Sequence, residues 1–232
     1  MMNLQAVYSH PLFGVAVTLG AYAIALKLHG RWRALHPLFV CAGGIVVLLL
    51  LTGIPYESYN KGGEIIAFFL GPATVALGVP LYKQAAAIKK DVRAILAGVT
   101  AGSVSGIASA GCLMWALGGT RELMLTMMPK SVTSPIAIEI ARQAGGIPEL
   151  AAVFAVLAGL LGSMIGPAFL RALGISADVP LGVAIGTAAH GIGTGRLIRE
   201  SELQGSVSGV SMALAGIVTS ILFIPLYYWL AP

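Results

Sequence analysis

Charge is scarce in this 232-residue chain: 10% of positions are Asp, Glu, Lys or Arg, against roughly 25% in an average soluble domain. With 57% of positions hydrophobic, that scarcity excludes an ordinary soluble fold. Cysteine is nearly absent. Cys41 and Cys112 both lie inside apolar stretches, which removes any disulfide framework and any CxxC metal knuckle. No polar run exceeds about a dozen residues, so no room is left for a separate soluble catalytic domain. The 14 Lys and Arg sit in short loops and form no basic face, so nucleic acid is not an expected partner. No charged side chain precedes Lys27, so the first block lacks the basic n-region of a cleaved signal peptide and reads as a permanent span.

What is present is a series of apolar blocks, each close to the length that crosses ~30 Å of hydrocarbon as a helix. They predict an all-α polytopic membrane protein with about eight transmembrane segments, near 8–27, 36–52, 63–82, 94–117, 123–142, 149–170, 179–198 and 206–229. Lys and Arg of short loops stay cytoplasmic. Eight crossings with the N-terminus outside place Lys27, Arg31, Arg33, Lys83, Lys89, Lys90, Arg93, Arg142, Arg196 and Arg199 inside. Only Lys61, Arg121 and Arg171 then lie outside. A re-entrant hairpin at 123–142 is the alternative, and by flipping everything after it this would weaken the asymmetry. A weak internal repeat in spacing, with the segment near 63 matched to that near 179 and the span near 94 to that near 206, is parallel under eight crossings and inverted under the hairpin variant.

Three segments are interrupted. The third holds Gly71-Pro72 with Gly78 and Pro80; the fifth reads Met128-Pro-Lys-Ser-Val-Thr-Ser-Pro135; the seventh runs Ile185-Gly-Thr-Ala-Ala-His-Gly-Ile-Gly-Thr-Gly-Arg196. Proline removes a helix hydrogen bond and glycine relaxes the backbone, and unwound backbone survives in a membrane only against protein or a water-filled cavity. The three should therefore converge, bringing Pro72, Lys130 and His190 together near mid-membrane. Discontinuous helices of this kind commonly hold the substrate in secondary transporters.

Lys130 carries the sharpest signal, since an ammonium at the bilayer centre costs at least ~2.5–3.5 kcal/mol. One reading has Lys130, Ser131, Thr133 and Ser134 hold an anion; the other pairs Lys130 with Glu139, the only carboxylate of that span. In the seventh segment Thr187, His190, Gly191, Gly193, Thr194 and Arg196 resemble a phosphate loop, yet both the GxGxxG and the Walker A patterns fail. Glycine backbone at a half-helix N-terminus can instead offer N–H groups to a small anion. His190 is either a donor or proton carrier, or simply an interhelical hydrogen-bonding group. Gly98, Gly102 and Gly106 form a small-residue stripe suited to close helix contact, within the chain or in an oligomer. Tyr227, Tyr228 and Trp229 read as an interfacial belt. HExxH, GxSxG and intramembrane carboxylate pairs are absent, so enzymatic activity, metal and cofactor are not expected.

The stretches Phe69–Lys83, Pro129–Glu139 and Gly186–Arg196 together resemble the LrgB/CidB family of bacterial inner-membrane proteins, over essentially the whole chain as one domain, 1–232. That resemblance implies a multi-pass protein working with a small LrgA/CidA-type membrane partner. It implies two functions: antiholin-like control of murein hydrolases and lysis, or carriage of small monocarboxylates, since a plastid glycolate/glycerate transporter looks like a fusion of LrgA-like and LrgB-like parts and bacterial relatives are linked to pyruvate uptake. Three broken helices and a buried lysine favour the carrier, whose site then includes Pro72 and Thr74 of the first motif. A pore needs none of these costly features.

Overall fold

The computed structural model describes residues 8–32, 36–69, 72, 75–76 and 78–230, and every regular element among them is a helix. Hydrocarbon leaves backbone N–H and C=O groups no partner but one another, which selects helices. Four helical stretches, Pro11–Arg31, Val92–Ala116, Pro148–Ala172 and Glu202–Leu226, are long and apolar enough to cross a membrane. The chain divides into two compact units, Met1–Ala76 and Leu77–Pro232.

The first unit contains α1 (Pro11–Arg31), α2 (Pro37–Thr52) and α3 (Tyr56–Phe68). Prolines open α1 and α2 at the first-turn positions, where a missing N–H costs nothing. Gly14 of α1 and Gly62 of α3 meet backbone to backbone, so a Cβ on either would overlap the other chain segment. Beside them the Thr18 and Tyr59 hydroxyls lie 2.9 Å apart. Cys41 is buried with Ala25 and Ile45 between α1 and α2, as a small hydrophobe.

The second unit runs through two short helices, α4 (Gly78–Lys83) and α5 (Ala85–Lys90), into α6 (Val92–Ala116). Then come α7 (Arg121–Met127), α8 (Ser134–Ala144), α9 (Pro148–Ala172), α10 (Asp178–Glu200) and α11 (Glu202–Leu230). Of the aromatic trio, Tyr228 is exposed at the far end of α11, and the side chains of Tyr227 and Trp229 lie outside the described residues.

Two of the eight expected crossings are hairpins. Leu181 and Leu197 are sixteen residues apart, which in a continuous helix would separate them by about 24 Å, yet they share one buried cluster. The chain reverses at His190, whose φ of 38° and ψ of −134° break α10 into two antiparallel arms. Both ends of α10 therefore meet the same end of the bundle. Gln204 Nε2 donates to Asp178 Oδ1 at 2.7 Å, and Arg171 donates to Glu200 at 2.6 Å. The segment 123–142 behaves likewise. Its two arms, α7 and α8, are joined by the turn at Met128–Val132, and they return to one end: the backbone N–H of Ile147 donates to Thr126 Oγ1 at 2.8 Å.

These hairpins enter from opposite ends. The first opens at the Ala116 end of α6 and the second at the Ala172 end of α9. Helix plus hairpin is the repeating unit: α6 and α9 each have 25 residues, Val92 precedes Pro148 by 56 positions, and Arg121 precedes Asp178 by 57. The repeat within this unit is thus inverted, with about half the period expected from spacing alone. Arg171 accordingly joins Arg196 and Arg199 at one end, and Arg142 joins Arg121 at the other. The parallel eight-crossing scheme failed because hydropathy measures how much chain is apolar, not whether it turns back.

Candidate functional site

The tips of the two hairpins meet on one face of α6. Gly102 and Gly106 are one turn apart; a Cβ on Gly102 would lie 2.8 Å from Thr187 Cγ2 of the second hairpin, and one on Gly106 would lie 3.4 Å from Ser131 Oγ of the first. Gly98, one turn earlier, is 2.9 Å by the same measure from Val183 Cγ1. The stripe lies in close contact with both hairpins and forms the wall of a partly open groove of about 670 Å³. Lys130, Ser131 and Thr187 line that groove, with Ser105 and Ser109 on the helix beside the glycines. Ser131 faces Gly106, ten residues or about 15 Å from the Ala116 end. Gly106 is close to the middle of the 25-residue α6, so the lysine lies beside the centre of that helix and not at either end.

Lys130 Nζ donates to Ser131 Oγ at 3.3 Å. Ser131 accepts with its oxygen, so its own proton and the remaining ammonium protons are free to turn toward a ligand. Thr187 is committed differently, donating to the Val183 carbonyl at 2.7 Å. Glu139 is engaged elsewhere: Arg142 reaches it at 2.6 Å and Gln143 at 2.8 Å, all on the exposed flank of α8. Among the described residues no carboxylate pairs with Lys130.

Thr133 and Ser134 sit at the first hairpin's tip, where they begin α8 with Pro135 inside its first turn. Neither is among the residues lining the groove. The remaining residues singled out in the seventh segment also serve contacts away from the groove. His190 Nε2 lies 2.8 Å from the Ala155 carbonyl oxygen of α9. Thr194 donates to the His190 carbonyl at 2.8 Å and shares a second 2.8 Å hydrogen bond with Ser208 of α11. Gly193 packs on Ile185 and Ala189 across the hairpin, and Gly191 on Met212. Arg196 reaches the carbonyls of Ser163 and Met164 and the carboxylate of Glu200. Pro72 is exposed in the first unit, and Thr74 lies outside the described residues.

One sequence signal for this arrangement is the pentapeptide Gly-Ser-Val-Ser-Gly, which occurs twice, at Gly102–Gly106 and Gly205–Gly209. Both copies flank the second hairpin. The first lets α6 approach the Asp178–Ala189 arm, and the second lets α11 approach the returning arm at Ile198 and Thr194. Hydropathy alone gives these two helices no special relation.

Residues 18–229 match the LrgB-like family. The chain belongs to that family. It is 41% identical over 206 residues to an uncharacterized Bacillus subtilis protein, YwbG, covering 88% of this chain and 91% of that one. It is 38% identical over 208 residues to an uncharacterized protein of Haemophilus influenzae, covering 89% of this chain and 90% of that one. The "Antiholin-like protein LrgB" of Bacillus mycoides is 32% identical over 220 residues, covering 94% and 95%. No solved structure matches. For this LrgB-like chain nearly the whole length aligns with its relatives, so the hairpins, the groove and Lys130 all fall within the shared region. The chain is a multi-pass membrane protein of a family named antiholin-like in bacteria.

Proposed function

We propose that this LrgB-like protein is a carrier-like subunit for small monocarboxylates of the pyruvate, glycolate or glycerate class, without enzymatic activity. One observation carries the reading: Lys130 lines a groove beside the middle of α6, between two opposed hairpin tips, with no carboxylate partner among the described residues. An uncompensated ammonium there is costly, and a bound carboxylate offsets that cost. Lys130 supplies the charge, and Ser131, already oriented by its bond to Lys130, supplies a neutral donor. Thr187 can join by releasing the Val183 carbonyl. Paired hairpins around a central site suit alternating access, in which one hairpin moves while the other holds the ligand.

Charge distribution supports the orientation. Lys83, Lys89, Lys90, Arg93, Arg171, Arg196 and Arg199 gather at the end where the second hairpin opens, and Arg121 and Arg142 at the other. The positive-inside rule puts the richer end in the cytoplasm, with the bacterial inner membrane as the location. A small LrgA/CidA-type membrane protein and further copies of the chain are the proposed partners.

The name of the Bacillus mycoides relative, an antiholin-like protein, favours a second reading, a holin-type regulator of murein hydrolases with no transported substrate. Uptake of labelled pyruvate, glycolate and glycerate into proteoliposomes, with and without the LrgA-type partner, separates the two. Saturable uptake supports the carrier; leak of unrelated dyes supports the pore and overturns it.

A further inference from the structure

His190 is the one non-glycine residue with positive φ among the described residues; the other positive φ values belong to Gly53, Gly118, Gly145 and Gly174. A side chain in such a backbone region is strained, and glycine would avoid the strain. The residue is 4% exposed, and its ring fills a slot that exists because Gly159 has no side chain: a Cβ there would lie 2.7 Å from His190 Cε1. Nε2 faces a carbonyl oxygen, which can only accept, so Nε2 carries the hydrogen and Nδ1 is the basic nitrogen.

The surroundings isolate this imidazole. On α9 the charged residues are Glu149 and Arg171, at its two ends. On α6 the only charged residue is Arg93, and on α11 only Glu202, each in its helix's first turn. On the returning arm Arg196 is bound to Glu200 and to the α9 carbonyls, and Arg199 lies beyond it near the mouth. On the entering arm Asp178 is held at the mouth by Gln204. The first hairpin contributes Lys130 at its tip. Just before His190 in the chain, Thr187 and Ala188 line the groove.

We propose that His190 is the proton-carrying residue of the transport cycle. This rests on the carboxylate-carrier reading above. Nδ1 takes one proton from water on one side as the carboxylate binds at Lys130, and returns it to water on the other side as the carboxylate leaves. One anion and one proton cross together, and the cycle moves no net charge. His190 follows the groove-lining Thr187 and Ala188 at the second hairpin's tip, and opposite charges held at two meeting tips in a low-dielectric interior favour each other's binding, reciprocally.

The test uses purified full-length protein in proteoliposomes, with labelled pyruvate, glycolate and glycerate each as substrate and two assays. Exchange at equal pH needs binding and movement of the loaded carrier but no net proton transfer. Accumulation driven by an acid exterior needs both. His190→Gln retains an N–H donor but cannot carry the proton; it should keep exchange and lose acid-driven accumulation by about tenfold or more. His190→Gly removes ring and backbone strain together and should behave the same way if it folds. A His190→Gln variant that still accumulates substrate in response to the pH gradient overturns the proposal. So does loss of exchange and accumulation in equal proportion in folded variants, which marks the ring as a positioning group, and so does wild-type accumulation driven by a sodium gradient and indifferent to pH. Wild-type protein that exchanges none of the three acids overturns the carrier reading itself.

Discussion

Arg196 binds the carbonyl oxygen that Pro167 leaves without a partner. Proline at position 167 has no N–H to give to Ser163, four residues earlier in α9, and the Arg196 guanidinium from the second hairpin reaches that oxygen and, at 3.2 Å, the Met164 carbonyl. A helix break on one element is thus repaired by a cation on another. The same side chain holds Glu200 at 2.9 Å, and Glu200 in turn is bound by Arg171 of α9, so the returning arm of the hairpin is tied to α9 twice.

This repair gives a double-mutant cycle. Arg196→Gln should lower stability by about 1–3 kcal/mol, the cost of a buried acceptor left unpaired. Pro167→Ala restores an N–H for the Ser163 carbonyl, so in that background the loss from Arg196→Gln should shrink by about 1 kcal/mol. Thermal unfolding of the four proteins in detergent measures the coupling; strictly additive losses would show that the two residues act independently.

At Lys130 the expected result is a split between stability and activity. Lys130→Gln should abolish carboxylate uptake while leaving the unfolding temperature nearly unchanged, because no carboxylate is stranded by removing it. Glu139→Gln breaks only an exposed pair and should cost about 0–1 kcal/mol. The double variant should be as stable as the singles combined and equally inactive. Recovery of uptake in the double variant would refute the binding role.

Two glycines of the second hairpin should respond oppositely to the same substitution. A Cβ on Gly186 would overlap the Ser208 backbone, whereas one on Gly195 meets nothing within 4 Å. Gly186→Ala should therefore destabilise by ~1–3 kcal/mol, and Gly195→Ala should stabilise by up to ~1 kcal/mol through helix propensity. Calorimetry on both variants checks the sign as well as the size.

Glu200 supplies a pH dependence outside the spans. Burial pushes its carboxyl up, but hydrogen bonds and charges from Arg171 and Arg196 outweigh this and hold it below the usual carboxylate range. A depressed folded value means the contribution is present above the unfolded value of about 4.3 and is lost as pH falls through the folded one. Wild type should lead Glu200→Gln in unfolding temperature at neutral pH, and the lead should close below about pH 4. A lead unchanged at acid pH would contradict the assignment.

Composition and spacing alone determined that this chain is helical, that it lives in a membrane, and that its fifth and seventh apolar segments are interrupted, the fifth around Lys130 and the seventh somewhere within Ile185–Arg196. Those features are local: an apolar block announces its solvent, a proline its missing N–H, an intramembrane lysine its cost. Whether a broken segment crosses or returns is not local. The arms Asp178–Ala189 and Gly191–Glu200 carry the same hydropathy in either case, and their reversal is fixed by partners far along the chain, Arg171 for Glu200, Gln204 for Asp178, Ala155 for His190. The division of labour within the motif was decided there as well. Thr187 and Lys130 come to one groove because Gly102 and Gly106 leave room on α6. Thr194 and Arg196 turn away from it because Ser208 and the carbonyl orphaned by Pro167 hold them elsewhere, and in hydrocarbon an unpaired polar group cannot fall back on water.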